Sequence, residues 1–240
     1  MGDVALMYSG GLDSFVAYHY GRAHGLNVMP IYVALGHEYE GKEILAAECL
    51  QVPFKVVDLP WGKLTKEWHV KQIIPARNVL LAMVGSLYAD RVWICGLDGE
   101  QFATNNDKSI DFYSMTSSLL SHVMHLWNIR GTRVESPFMT MTKRDVVSWW
   151  LTSGRDPKSL QATTSCWSPG PGKCGECATC YKRYVAFKLN GIEEEGYQSN
   201  PLMSAYAQKE AQRMSERDVL LRHSWRRVLE YKELCTYGMG

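Results

Sequence analysis

The first twenty-four residues join a short apolar run to a helical pattern through a loop with two glycines. The apolar run covers residues 4–8, the helical pattern covers residues 14–24, and the loop reads Ser9-Gly10-Gly11-Leu12-Asp13-Ser14. Two glycines allow a tight turn in which backbone N–H groups converge, and the start of a helix adds partial positive charge. We therefore predict a strand–loop–helix unit that holds a phosphate or pyrophosphate group. The alternative is a glycine turn that only connects a strand to a helix.

Strand and helix patterns alternate over the first two-thirds of the chain. Further strands are predicted over residues 28–33, 54–58, 91–96 and 133–136, with helices over 41–50, 76–89 and 112–128. Residues 92–95 are apolar without alternation, as expected of a central parallel strand covered on both faces. This pattern predicts an α/β fold with a doubly wound, mostly parallel sheet. Ligands of such folds lie at the carboxyl ends of the strands, where the glycine loop is expected.

Composition indicates an ordinary globular protein. The chain has 240 residues, of which 46% are hydrophobic and 21% are charged. No apolar run approaches the ~18 residues of a membrane span, and the chain starts with a strand pattern rather than a basic leader. We therefore expect a cytoplasmic protein without a membrane partner. A net charge of +1 argues against a strongly electrostatic nucleic-acid binder.

The last hundred residues are predicted to add helices and a cysteine-rich segment. Thr142 and Asp145 resemble a capping box at the start of a helix that runs to about residue 153. Residues 204–232 are predicted to form one long helix that packs on the domain or on a second copy of the chain, and a nucleic-acid-binding helix is the alternative. The predicted organisation is a nucleotide-binding α/β domain over 1–160, a zinc-binding segment with a helix over 161–190, and a helical extension over 191–240.

Four of the seven cysteines lie close together in the sequence. Their spacing is C-x7-C-x2-C-x2-C, formed by Cys166, Cys174, Cys177 and Cys180. Thiolates separated by two residues can turn back onto one ion, and Gly175 helps the chain to make that turn. Four thiolates complete a closed tetrahedral site, which predicts structural Zn²⁺. An iron–sulfur cluster accepts the same ligands, and disulfides are the alternative without a metal.

Together, the glycine loop and the cysteine motif resemble the 7-cyano-7-deazaguanine synthase family of PP-loop ATP pyrophosphatases. The family pattern is S-G-G-x-D-S followed by C-G-x-C-x-x-C-x-x-R-x-x-A-F, and the second part here reads C-G-E-C-A-T-C-Y-K-R-Y-V-A-F from Cys174. Shorter matching segments are Pro75-Ala76-Arg77-Asn78, Trp93-Ile94-Cys95-Gly96, and Pro137 with Met141-Thr142-Lys143. The resemblance covers roughly residues 4–190.

The resemblance implies a ligase that joins ammonia to 7-carboxy-7-deazaguanine and cuts ATP to AMP and pyrophosphate. ATP adenylates the carboxylate, ammonia displaces AMP to give the amide, and a second ATP activates the amide oxygen for loss to the nitrile. It further implies a homodimer and Mg²⁺ between the phosphates. It places ATP on Ser9, Gly10, Gly11, Leu12, Asp13 and Ser14. The catalytic candidates are Asp13, Ser14, Lys143 and Arg77.

The region with which family members recognise the deazaguanine departs from the family pattern. It covers residues 99–112 here and keeps few of the family residues. One carboxylate can accept hydrogen bonds from both N1–H and the 2-amino group of a guanine-like edge. Asp107 and Asp111 are therefore the candidates for reading that edge, and Phe102 is the candidate for stacking on the base. A second departure from the family pattern is the segment Gly36-His37-Glu38-Tyr39. We expect it to affect how the protein handles ammonia or contacts the base.

Three other functions are compatible with parts of these motifs. A sibling enzyme would stop at the amide, or would transfer the activated deazaguanine to another amine on a protein or a nucleic acid. A PP-loop tRNA sulfurtransferase would need a catalytic cysteine or cluster and a tRNA-binding surface, and neither is evident in the sequence. A non-catalytic ATP-binding zinc module would be expected to lose Asp13 or Ser14, and both are present.

Overall fold

The protein is built around a five-stranded parallel sheet. The computed structural model describes residues 2–64, 66, 74–100, 107–168, 170–215 and 225–237. Its strands are β1 Val4–Met7, β2 Val28–Ala34, β3 Lys55–Asp58, β4 Arg91–Trp93 and β5 Arg133–Glu135. They lie in the order β3-β2-β1-β4-β5, and every pairing between them is parallel. The predicted α/β fold with a doubly wound sheet is confirmed.

Helices connect and extend these strands. In chain order they are α1 Leu12–Ala23, α2 Glu40–Cys49, α3 Trp61–Leu64, α4 Arg77–Ser86, α5 Ile110–His125, α6 Lys143–Thr152, α7 Pro157–Gln161, α8 Ala178–Lys188, α9 Ala205–Ser215 and α10 Trp225–Tyr237. A 3-10 turn, Pro201–Met203, precedes α9. Within the ranges given above, no helix is long and apolar enough to cross a membrane.

The two faces of the sheet have separate cores, because successive side chains of a strand point to opposite faces. Val4 and Leu6 of β1 belong to a core cluster with residues of α1, α6 and α8. Ala5 and Met7 belong to a second cluster with residues of α4 and α5. All four of these side chains are buried, which explains why the strand reads as a continuous apolar run.

The strand order places a binding crevice beside β1. From β1 the chain first adds β2 and β3 on one side, and later β4 and β5 on the other. In open α/β sheets, ligands bind at the carboxyl ends of the strands where the order reverses in this way. Here that position lies between the glycine loop after β1 and residues 94–100 after β4.

The prediction of one long helix over residues 204–232 is wrong. α9 ends at Ser215, α10 begins at Trp225, and the two helices contact each other. Arg227 Nη2 lies 3.8 Å from Glu210 Oε1, whereas this sequence separation in one straight helix would span about 25 Å. The packing of this region on the domain is confirmed, because α8, α9 and α10 share an apolar cluster that includes Tyr181, Ala207 and Leu234.

Candidate functional site

The glycine loop has the geometry of an anion cradle. Gly10 has a φ of +66°, and a Cβ atom there would lie 2.8 Å from the backbone nitrogen of Ala47. Only glycine therefore fits this turn, which brings α2 against the loop. α1 starts directly after Gly11, and among the described residues no side chain caps that start. Its first backbone N–H groups are free to donate to a bound anion, and the helix dipole favours negative charge there.

A cavity of about 380 Å³ opens beside this loop. It lies within the size range of small-molecule sites. The residues predicted for the site that line it are Ser9, Gly11, Leu12, Asp13, Ser14, Arg77, Asp107 and Lys143. Gly10 lies behind the cradle rather than in the wall, and the Leu12 side chain is part of the core. The structure thus brings together residues that are separated by 130 positions in the chain.

An ion pair joins the loop to the start of α6. Lys143 Nζ lies 2.5 and 2.7 Å from the two carboxylate oxygens of Asp13. The predicted capping box precedes it, since the Thr142 backbone N–H donates to Asp145 and the Asp145 N–H donates to the Thr142 hydroxyl. This cap fixes the first turn of α6 and therefore the direction of Lys143. The ammonium group of Lys143 therefore lies within hydrogen-bonding distance of Asp13 in the anion cradle.

A second cluster of charged residues in the cavity was not found from the sequence. Glu100 Oε2 lies 3.1 Å from Lys108 Nζ, and Glu100 Oε1 lies 3.8 Å from Lys182 Nζ. Burial would raise the pKa of Glu100, but the ammonium groups of Lys108 and Lys182 outweigh it and lower the pKa to about 2. Burial, opposed by Glu100, lowers the pKa of Lys182 to about 8. In this cluster two ammonium groups face one carboxylate, which leaves a local excess of positive groups for an anionic ligand.

Lys182 is the least predictable member of this cluster. It lies on α8, between the metal-ligand candidate Cys180 and the fully buried Arg183. Arg183 donates to Glu194, to the Thr163 hydroxyl and to a backbone carbonyl, which fixes the helix. The direction of the Lys182 side chain depends on how α8 packs against α6. In the sequence, only its position next to Cys180 and Arg183 could have indicated that Lys182 belongs to the site.

A polar cluster forms the cavity wall after β2. The Tyr32 hydroxyl donates to Glu43 Oε2 at 3.2 Å, and His37 Nε2 lies 3.2 Å from the same oxygen. All three side chains line the cavity, with Tyr39 and Arg77. Arg77 follows Ala76, whose φ of +56° is in the left-handed region that favours glycine. Glu43 is thus a second cavity carboxylate that the motif comparison did not select.

The two aspartates predicted to recognise the base differ in position. Asp107 lines the cavity, and its backbone carbonyl accepts a hydrogen bond from the buried Asn78 side chain at 3.1 Å. Asp111 is exposed in the first turn of α5 and does not line the cavity. Phe102 lies outside the described residues. Of the two aspartates, Asp107 is therefore the one placed where it can meet a ligand.

The four clustered cysteines meet in space. Their sulfur atoms lie within 4.8 Å of one another, and Cys174 Sγ is 3.9 Å from Cys180 Sγ. Zn–S bonds of about 2.3 Å in a tetrahedron require sulfur atoms about 3.8 Å apart. Gly175 has a φ of +80°, and a Cβ atom there would lie 1.9 Å from the Ser199 carbonyl oxygen. The residues fit one tetrahedral metal ion, and Cys166 places that site against the cavity wall.

Comparison with known proteins identifies the family. A family model described as "Queuosine biosynthesis protein QueC" matches residues 3–191. The chain belongs to the QueC family. It is 27% identical to a 7-cyano-7-deazaguanine synthase of Marinobacter nauticus, over 80% of this chain and 95% of the relative. It is 29% identical to one of Archaeoglobus fulgidus, over 88% and 94%. A solved 4-thiouridine synthetase–RNA complex with bound ATP has a TM-score of 0.44 and 19% identity, covering 79% of this chain and 50% of that one.

The helices α9 and α10 lie beyond the residues that the QueC model matches, and α10 contacts the first turn of α6. Glu230 accepts a hydrogen bond from the Thr142 hydroxyl, and Arg226 Nη2 lies 2.7 Å from Asp145. Arg144 donates to both carboxylate oxygens of Glu233. α10 therefore packs on the first turn of α6, the turn that carries Lys143.

Proposed function

We propose that this QueC-family protein is an ATP-dependent carbon–nitrogen ligase that converts 7-carboxy-7-deazaguanine and ammonia to 7-cyano-7-deazaguanine. The observation that carries the proposal is the Asp13–Lys143 ion pair, which sets a cation against the open glycine cradle. The two relatives described above, which carry this printed name, align over 94% or more of their own length. A cytoplasmic location, where thiols stay reduced, belongs to the same proposal.

The charges of the cavity suit the adenylation of a carboxylate. A carboxylate is a poor electrophile until one of its oxygens becomes a phosphate ester, and that step moves negative charge onto the leaving pyrophosphate. The cradle formed by residues 9–14 would bind the pyrophosphate through backbone N–H groups. Lys143, Lys108 and Lys182 would stabilise the developing charge. When Mg²⁺ is bound with ATP, it would supply further positive charge near the cradle, and ATP and water would provide most of the oxygen ligands.

Ammonia then attacks the acyl-adenylate and AMP leaves, which gives the amide. A second ATP adenylates the amide oxygen, and loss of AMP gives the nitrile. Both adenylations need the same groups, because each joins a substrate oxygen to the α-phosphate and expels pyrophosphate. One cavity can therefore perform both steps if the amide stays bound while ATP is exchanged.

The base would be recognised on the side of the cavity away from the phosphate cradle. Asp107 is our candidate for the N1–H and 2-amino edge, because a carboxylate accepts both hydrogen bonds. Glu43 is the second candidate, since it also lines the cavity, although Tyr32 and His37 already contact it. We assign structural zinc to the four cysteines, because four thiolates leave no open coordination position for catalysis.

Product analysis tests this function. Purified protein is incubated with 7-carboxy-7-deazaguanine, ATP, Mg²⁺ and ammonium, and the products are identified by mass spectrometry. We expect 7-cyano-7-deazaguanine with AMP and pyrophosphate, and an Asp13→Ala variant should release no AMP. Accumulation of the amide alone would support the sibling activity instead. ADP and phosphate as the nucleotide products would overturn the proposal.

A further inference from the structure

The polar cluster after β2 engages one oxygen of the Glu43 carboxylate. Oε2 of Glu43 lies 3.2 Å from the Tyr32 hydroxyl and 3.2 Å from His37 Nε2. A carboxylate only accepts hydrogen bonds, so both of these groups donate to it. Burial and the charge of Glu43 raise the pKa of Tyr32, which keeps its hydroxyl protonated. The other oxygen, Oε1, is then the one available to a ligand in the cavity that Glu43 lines.

His37 is held in place mainly by its contact with Glu43. Its side chain is only 8% exposed, and its ring centroid lies 4.1 Å from that of Tyr39. Nδ1 is buried and has no hydrogen-bond partner among the described residues. Glu40 Oε2 lies 3.8 Å from Nδ1, too far for a hydrogen bond, and accepts from the Gly36 N–H at 2.7 Å. The contact with Glu43 therefore orients the ring, and the buried ring in turn fixes the carboxylate.

The donors already bound to Glu43 restrict the ligand that it can take. A guanine-like edge presents two N–H donors side by side, which both oxygens of one carboxylate can accept. In Glu43, both lone pairs of Oε2 are already in use. An ammonium ion needs only one carboxylate oxygen, and its positive charge is attracted by the carboxylate. Glu43 therefore suits ammonium better than the base, and Asp107 stays the candidate for the base edge.

The charges around Glu43 differ from those of the cluster with two lysines, which follows β4 on the other side of β1. Glu40 lies about one turn before Glu43 on α2. Arg77, at the start of α4, donates to the Tyr39 hydroxyl. Lys63 of α3 packs against the loop after β2, and its side chain is exposed to solvent. Two carboxylates and one bound guanidinium leave a local excess of negative charge for a small cation.

We propose that Glu43 binds ammonium through Oε1 and takes a proton from it, and that Tyr32 and His37 are positioning residues for this carboxylate. The inference rests on the proposed function, in which ammonium supplies the nitrogen. A Cβ atom at Gly10 would lie 2.9 Å from the Glu43 carbonyl oxygen, so α2 packs directly on the phosphate cradle. The bound nitrogen would therefore lie on the cavity side where the acyl-adenylate forms.

The proton transfer makes the nitrogen a nucleophile. Ammonium has no lone pair, and the loss of one proton to Glu43 provides it. This pair forms the C–N bond to the acyl carbon. The C–O bond to AMP breaks and its electron pair leaves with AMP, and a second N–H proton passes to water. The products are the amide, AMP, protonated Glu43 and a hydronium ion.

Two nucleophiles test this role. Hydroxylamine is uncharged at neutral pH and can attack without first losing a proton, whereas ammonium cannot. Glu43→Gln should lower kcat/KM for ammonium about 10²-fold or more, the scale of a lost general base, and that for hydroxylamine only a few-fold. Tyr32→Phe, which removes one donor to Oε2, should give a smaller loss with the same preference. Glu48→Gln is the matched control, because Glu48 is exposed on the same helix. It should behave as wild type.

Exchange of labelled pyrophosphate into ATP, with 7-carboxy-7-deazaguanine and no nucleophile, measures adenylation alone. It should be unchanged in all three variants, because adenylation precedes the amine. No exchange in the wild-type protein would overturn the proposed function and this inference with it. With exchange intact, normal use of ammonium by Glu43→Gln would overturn the role of Glu43 alone. An equal loss with both nucleophiles, or a raised KM for the deazaguanine without a loss with ammonium, would also overturn it.

Discussion

At the scale of single residues, two aspartates are equal candidates for base recognition in the sequence but occupy different positions in the structure. Asp107 lines the cavity, whereas Asp111 is exposed on α5. If Asp107 accepts from the guanine-like edge, Asp107→Asn leaves a ligand donor without an acceptor, at a cost of ~1–3 kcal/mol. We predict that KM for the deazaguanine rises by about ten- to a hundredfold. Steady-state kinetics with varied deazaguanine and saturating ATP measure this.

The control for this substitution is Asp111→Asn, which should keep wild-type kinetics. KM for ATP should stay nearly unchanged in both variants, because neither aspartate belongs to the loop of residues 9–14 that would bind the phosphates. If Asp107→Asn also has wild-type kinetics, Asp107 does not read the base, and Glu43→Gln becomes the next variant to measure.

His19 gives a stability prediction that depends on pH. Its ring centroid lies 4.8 Å from that of Phe15 and 5.1 Å from that of Trp150. Burial, assisted by Arg155, lowers the pKa of His19 from 6.5 to about 4. Between these pH values the unfolded chain binds a proton that the folded protein does not, so the free energy of unfolding falls as pH falls.

His19→Gln removes this contribution. We expect the loss of unfolding free energy from pH 8 to pH 5 to be roughly 1 kcal/mol smaller in the variant, after allowance for solvent screening. Urea unfolding at both pH values measures the difference. Equal losses in the two proteins would show that His19 titrates normally in the folded state.

At the scale of elements, we expect the cysteine segment to need a bound metal to fold, because few of its side chains are buried. Cys166 and Cys180 are buried, whereas Cys174 and Cys177 are only partly covered. In small zinc modules the binding energy of the metal, on the order of 10 kcal/mol, stabilises the fold directly. We predict that Cys174→Ser loses most of the bound zinc and unfolds at a lower temperature. Cys49→Ser, which changes an exposed cysteine on α2, should retain both properties.

Elemental analysis and thermal unfolding measure these effects. One zinc per chain is expected in the wild-type protein. Iron in place of zinc, or no metal in an active preparation, would contradict the assignment and favour one of the alternatives for the four thiolates.

The second element is α10, whose ion pairs hold the first turn of α6. Arg226 bonds to Asp145 and to the Thr140 carbonyl, and Glu233 accepts from Arg144. These pairs are partly exposed, so each contributes about 0.2–1 kcal/mol. We predict that Arg226→Gln with Glu233→Gln lowers kcat/KM for ATP a few-fold through the position of Lys143, with little change in melting temperature. The exposed Glu195→Gln is the control, and an unchanged kcat/KM in the double variant would contradict this role.

At the scale of the whole molecule, the sequence predicts what depends on local pattern. The parallel strands, the capping box at Thr142 and the meeting of the four cysteines follow from periodicity and spacing, and the structure has all three. The packing of α10 back on α9 is not predicted, because the apolar periodicity of the sequence is typical of one continuous helix. Lys182 and Glu100 meet through tertiary packing alone, and no local pattern encodes that contact.

The central claim, adenylation of a substrate oxygen, is tested most directly by an isotope label. The substrate is 7-carboxy-7-deazaguanine with ¹⁸O in both carboxylate oxygens, in ordinary water with ATP, Mg²⁺ and ammonium. Each adenylation transfers one substrate oxygen to the α-phosphate. We predict two AMP molecules per nitrile, each with one ¹⁸O atom, by mass spectrometry. Unlabelled AMP, or ¹⁸O in inorganic phosphate together with ADP, would contradict the account.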